Sequence, residues 1–154
     1  MTWFQRFITL SVISAQAFAV EGLSTPFVNV TAENVPVGVP YVIQDSRGEN
    51  LLLKNLGNHP VRVQVDVLAP AANQIRSHAV AIPDVSWVRI DPRVVEIPPH
   101  AERACSVTVT IPNEQKYRQR HYQVMIWSHG IPSAAEGVSV RAGLLSRLFL
   151  RTHE

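Results

Sequence analysis

The residues best suited to chemistry in this chain are a serine–histidine pair, Ser128-His129, a single thiol, Cys105, and six histidines. Acyl-transfer chemistry needs a nucleophile within hydrogen-bond reach of a base, and an acid to orient that base. Neighbours on an extended strand point to opposite faces, so Ser128 and His129 do not serve each other. No Gly-x-Ser-x-Gly turn occurs to present a serine. Cys105 falls on the apolar side of an alternating run, where a thiol behaves as inert core. His59, His78, His100, His121, His129 and His153 show no metal-ligand spacing, and no cysteine or carboxylate cluster joins them. The expectation is no enzyme, no metal and no cofactor.

The densest basic segment is Lys116-Tyr117-Arg118-Gln119-Arg120-His121-Tyr122. Aromatics between basic residues suit anionic polymers. The formal net charge of the whole chain is only +2, which points away from nucleic acid and toward a solvated loop entering a strand. Tyr122 is expected to serve the core.

Recognition is the remaining chemistry. Tyr122, Val124 and Ile126 account for one face of a strand and leave Met125 and Trp127 on the other, with His129 two positions further on. Apolar side chains left on a surface mark binding sites, and Trp is enriched at their centres. The run Leu144-Leu145-Ser146-Arg147-Leu148-Phe149-Leu150 is apolar on both faces. It is either buried between elements or a sheet edge that accepts a partner strand. Met125, Trp127, His129, Ser146, Arg147 and Phe149 are therefore the candidate partner-binding residues. The alternative is that these two segments cover each other within one domain.

The elements that would position these residues follow from period-two alternation. Val61, Val63, Val65 and Val67 share one face, with Arg62, Gln64 and Asp66 on the other; Cys105–Ile111 repeats the pattern. Expected strands are Phe27–Thr31, Pro40–Ile43, Leu51–Asn55, Val61–Leu68, Trp87–Ile90, Val94–Ile97, Arg103–Ile111, Tyr122–Ser128 and Gly137–Leu150, the last bent at Gly143. Asn55-Leu56-Gly57-Asn58-His59-Pro60 reads as a hairpin turn, and Ala69–Ala81 as a crossover between sheets. Eleven prolines and seven glycines in 154 residues exclude a long helical bundle. About seven to nine short strands at turn-limited spacing make a single immunoglobulin-like, all-β antiparallel sandwich.

The first residues have another purpose. Arg6, the apolar run Phe7–Ser14 and the small-residue signatures Ala15-Gln16-Ala17 and Ala17-Phe18-Ala19 are the three parts of a secretory signal peptide. The expected organisation is a signal peptide over 1–19 and one sandwich domain over 20–154. Cleavage falls after Ala17 or Ala19, and the mature chain has no membrane span and is exported to the periplasm or beyond.

The order of these features resembles bacterial exported immunoglobulin-like proteins of the pilus-chaperone-like and cell-surface group. The resemblance is carried by Asn55, Gly57, Pro60 and the alternating Val61–Val67; by Trp87-Val88-Arg89-Ile90-Asp91-Pro92 and Ile97-Pro98-Pro99; and by Ile111-Pro112 and Tyr122. Ile82–Trp87, Tyr122–His129 and Gly143–Arg147 are more similar to small exported proteins of unassigned function. The resemblance implies an exported sandwich and is nearly silent about activity. The signal peptide, the sandwich pattern and the lack of a catalytic constellation together point to a non-catalytic envelope module that binds an envelope or secreted protein, or a surface polymer, through sheet faces or an edge strand. Its alternative is a single-domain periplasmic chaperone or assembly factor that lends an edge strand, Val138–Leu150, to a surface subunit. A typical pilus chaperone resembles two such domains in tandem, and this chain has room for one.

Overall fold

Alternating valines build the centres of two sheets. A computed structural model describes residues 18–20, 22–132 and 143–154. The strands are β1 (Phe18–Val20), β2 (Leu23–Thr25), β3 (Asn29–Val35), β4 (Tyr41–Ile43), β5 (Leu51–Asn55), β6 (Val61–Leu68), β7 (Val80–Ala81), β8 (Val88–Asp91), β9 (Val94–Ile97), β10 (Glu102–Val109), β11 (His121–Ile131) and β12 (Gly143–Thr152). Short 3₁₀ turns lie at Ala72–Gln74, Val85–Trp87 and Gln115–Tyr117.

One sheet runs β1-β2-β5-β10-β4, with β8 also on β10. The other runs β3-β12-β11-β6-β9, with β7 also on β11. Pairing is antiparallel except for β12 with β3 and β11 with β7. Between the layers, Val63, Val65, Cys105, Val107, Val109, Val124, Ile126 and Leu148 are fully buried. Each of the aliphatic side chains among them contributes roughly 1.5–3 kcal/mol by leaving water. The fold is thus the expected all-β sandwich.

Three local expectations are corrected. Asn55–Pro60 is not a hairpin: β5 pairs with β10 and β2, whereas β6 pairs with β11 and β9, so the turn carries the chain from one sheet to the other. Turn residues set a local reversal but not the partner of the strand that follows. Ala69–Ala81 does not pass between the sheets. It leaves β6 beside Met125 and returns as β7 beside Tyr122, on the same strand, β11. The C-terminal strand from Arg147 onward is not an edge, because β11 flanks it on one side and β3 on the other. Residues 137–142 of the strand expected over Gly137–Leu150 lie outside the described residues, as does the export segment apart from Phe18 and Ala19, which pair with Thr25 and Ser24.

Candidate functional site

Register across three strands sets the candidate site. Trp127 lies opposite Leu145 on β12 and opposite Asp66 on β6; His129 lies opposite Gly143 and Gln64; Met125 lies opposite Arg147 and Leu68. All these residues are on the outward face of the β11 sheet, since their neighbours Val124, Ile126 and Leu148 are buried inside.

The structure divides this face in two. The crossover after β6 covers one half. Gln123 is fully buried there, its Oε1 accepting from the Arg76 amide at 2.8 Å and its Nε2 donating to the Gln74 carbonyl at 2.8 Å. The Arg76 guanidinium lies 4.1 Å from the Phe149 ring centre, a cation–π contact that closes the strap over β12. Met125 is consequently 2% exposed and Phe149 9%. The expected exposure of Met125 is corrected, and Phe149 takes the buried alternative: the strap covers both, while the two segments, β11 and β12, pair side by side in one sheet and do not cover each other. Ser146 is fully buried as well, its hydroxyl donating to the Phe27 carbonyl.

Trp127, His129 and Arg147 occupy the other half. Trp127 and His129 are partly buried and stack at 5.9 Å with 21° between their planes. His129 Nε2 donates to Asp66 Oδ2 at 2.7 Å, Gln64 Nε2 donates to Asp66 at 3.1 Å, and the Arg93 guanidinium donates to Asp66 Oδ1. Burial disfavours the Asp66 charge, but these donors outweigh it, Arg93 foremost, and hold its carboxyl down at about 2. The result is a satisfied, charge-fixed surface patch and not a poised acid or base.

Beside it, Thr25, Val28, Asn29, Trp127, Leu145 and Arg147 surround a cleft of about 260 Å³. It borders the first residues of β12, where pairing is one-sided. The Arg147 amide donates to the Val28 carbonyl at 2.7 Å, and pairing with β3 begins at that residue. Backbone groups alternate sides along a strand, so those of Gly143 and Leu145 also face away from β11. Among the described residues no strand pairs with them there. Leu145 is 39% exposed.

Cys105 and Tyr122 are placed in the core, and the basic segment is spent on internal partners; His59 and His78 are exposed. Cys105 is fully buried, and burial together with the Asp91 carboxylate pushes its thiol up to about 11. In the basic segment, Lys116 pairs with Glu114 at 2.8 Å, Arg118 donates to Asn113 and to the Glu154 carbonyl, and Arg120 donates to the Lys116 carbonyl. Tyr122 is buried, with its ring edge-on to Trp87 at 6.1 Å. Among the described residues no three His, Cys, Asp or Glu side chains gather to hold a metal, and no helix is long and apolar enough to cross a membrane. Asp66 and Arg93 have no signal in the sequence as a pair: they are 27 positions apart and meet only because β9 pairs with β6.

No family model matches the chain, and no curated protein matches it in sequence. Solved structures do. The chain is similar to the ASH / PapD-like domain 7 of human CEP192, with a TM-score of 0.62 at 13% identity over 97% of this chain and 99% of that one. It is also similar to the periplasmic chaperone SfaE, with a TM-score of 0.55 at 13% identity over 86% of this chain. A chain of the Salmonella enterica SafA pilin–SafB chaperone structure matches with a TM-score of 0.55 at 13% identity over 88% of this chain. The chain spans 59% and 57% of the last two. At these identities the likeness defines the fold: a PapD-like, immunoglobulin-like β-sandwich.

Proposed function

We propose that this protein is a non-catalytic binding module of the cell envelope that engages a protein partner through the open side of β12 at Gly143–Ser146. One observation carries the reading: the backbone of Gly143 and Leu145 faces away from β11 toward a mostly apolar cleft with no strand pairing it among the described residues. An extended segment docking there gains backbone hydrogen bonds from β12 and side-chain burial from Val28, Trp127 and Leu145. Export by the signal peptide over 1–19 and a periplasmic location belong to the same proposal, as does the single domain over 20–154. Of the six candidate residues, Trp127 and Arg147 border the cleft and His129 positions Trp127; Met125, Ser146 and Phe149 support the sheet beneath.

A second reading is a single-domain assembly chaperone for a surface subunit. It is supported by the chaperone structures of like fold, one of which holds a pilin. A photo-crosslinker at Asn29, an exposed residue lining the same cleft, in cells producing the full chain, tests both. A defined envelope partner, lost when Leu145→Pro removes the outward amide, is expected, and a pilin-like subunit as that partner favours the chaperone. An uncrosslinked protein, or one recovered with residues 1–19 intact in the cytoplasm, would falsify the proposal.

A further inference from the structure

A second unpaired lane lies on the opposite side of the same sheet, where the chain changes layers. β8 belongs to the sheet of β10 and β9 to the sheet of β6, so the sandwich opens where Pro92 and Arg93 pass between them. Pairing of β9 with β6 ends at Gln64–Val94, followed by one bond from the Val65 amide to the Arg93 carbonyl at 2.9 Å. Backbone groups alternate, so those of Val67 also point to this side. Among the described residues no strand pairs with them on that side, although β8 and the turn at Val85–Trp87 approach β6 across the gap. The gap is a cleft of about 410 Å³ whose walls include Val65, Val67, Val85, Val88 and Ile90. Val85 is 37% exposed at its mouth. The charged residues that line it are Arg89 and Arg93, with side chains 78% and 65% exposed. Their carboxylate partners, Asp91 and Asp66, are not among the lining residues.

We infer that this cleft binds an extended acidic peptide of a partner protein, which continues the lane of β9 along the second half of β6. An apolar side chain of the peptide enters between the two sheets against Val67 and Val88. Flanking carboxylates meet Arg89 and Arg93. The basic rim selects an acidic occupant, and the unpaired Val67 backbone selects an extended one. This site is separate from the β12 opening, and the contacts Arg93–Asp66–His129–Trp127 run between the two.

The probe is the blocked peptide acetyl-Asp-Val-Thr-Val-Asp-Val-Thr-amide, titrated into the full chain while backbone amide NMR signals are followed. Saturable shifts at Val65–Leu68 and Val88–Arg93 are expected, with affinity at least fivefold weaker for Arg89→Glu. Val85→Asp, on an exposed wall, is expected to weaken binding of the same peptide without disturbing the remaining spectrum. The same peptide with Lys in place of Asp should leave these signals unmoved. Equal binding of both peptides, shifts confined to Gly143–Arg147, or self-association that moves the cleft signals before peptide is added would each overturn the inference. The second outcome would leave the β12 reading standing.

Discussion

Gly143 lies directly beneath the indole of Trp127: a Cβ on residue 143 would stand 2.0 Å from Trp127 Cη2 and 2.2 Å from Cζ2. The ring therefore rests on the backbone of β12, and only glycine leaves room for it. Gly143→Ala should displace the indole, lower stability by about 1–3 kcal/mol and shift the tryptophan emission. Leu145→Ala, at a partly exposed neighbouring position, should cost less than about 1 kcal/mol. Equal urea midpoints for Gly143→Ala and the unaltered protein would show that the ring does not rest there.

Gln123 anchors the strap that covers Met125 and Phe149. Gln123→Leu keeps the volume but leaves the Arg76 amide and the Gln74 carbonyl without their partner, which should cost about 1–3 kcal/mol. The local signature is specific. Amide exchange at Arg76 should accelerate and protease should cut within 72–80 while β11 stays protected. Unaltered exchange there would mean the strap is held by other contacts.

Asp66 sets an acid limit. Its carboxyl sits at about 2, below its ordinary 3.8, so the folded state binds this proton less readily than the unfolded one. The stabilisation is present above pH 4 and is lost as pH falls through about 2. It amounts to at most about 2 kcal/mol, since Asp66 keeps one side to solvent. Asp66→Asn should flatten the fall in thermal midpoint between pH 4 and 2, and a parallel fall in both proteins would place the acid sensitivity elsewhere.

Asn55 joins the layers. Its buried side chain donates to the His59 carbonyl at 2.7 Å and the Ile97 carbonyl at 3.1 Å and accepts from the Gly57 amide at 2.9 Å. Asn55→Asp turns donors into charge facing carbonyls and should destabilise by roughly 2–4 kcal/mol, more than Asn55→Ala. Chemical denaturation of the two variants checks the order.

Strand positions were legible where alternation was clean. The expected Leu51–Asn55, Val61–Leu68 and Val94–Ile97 coincide with β5, β6 and β9, because period two is a local property of the chain. The brief β1, β2 and β7 left no such trace, being too short to alternate. The candidate face was legible only in outline. Trp127, His129 and Arg147 are on the surface half, but Met125 and Phe149 have the same apolar character and are covered, since burial depends on a strap whose anchor, Gln123, reaches Arg76 across 47 positions.

By itself, the amino-acid order determined the sandwich: alternating β-branched residues and proline-limited turns admit two pleated layers and little else. The tertiary structure decided which strands neighbour each other, and with that which edges stay open. Asn55–Pro60 would serve a hairpin as well as a change of layer, and Arg147 would suit an edge as well as a sheet centre. Long-range pairing made those choices, because backbone hydrogen bonds are the same for every residue and only the packing of distant side chains distinguishes one partner strand from another.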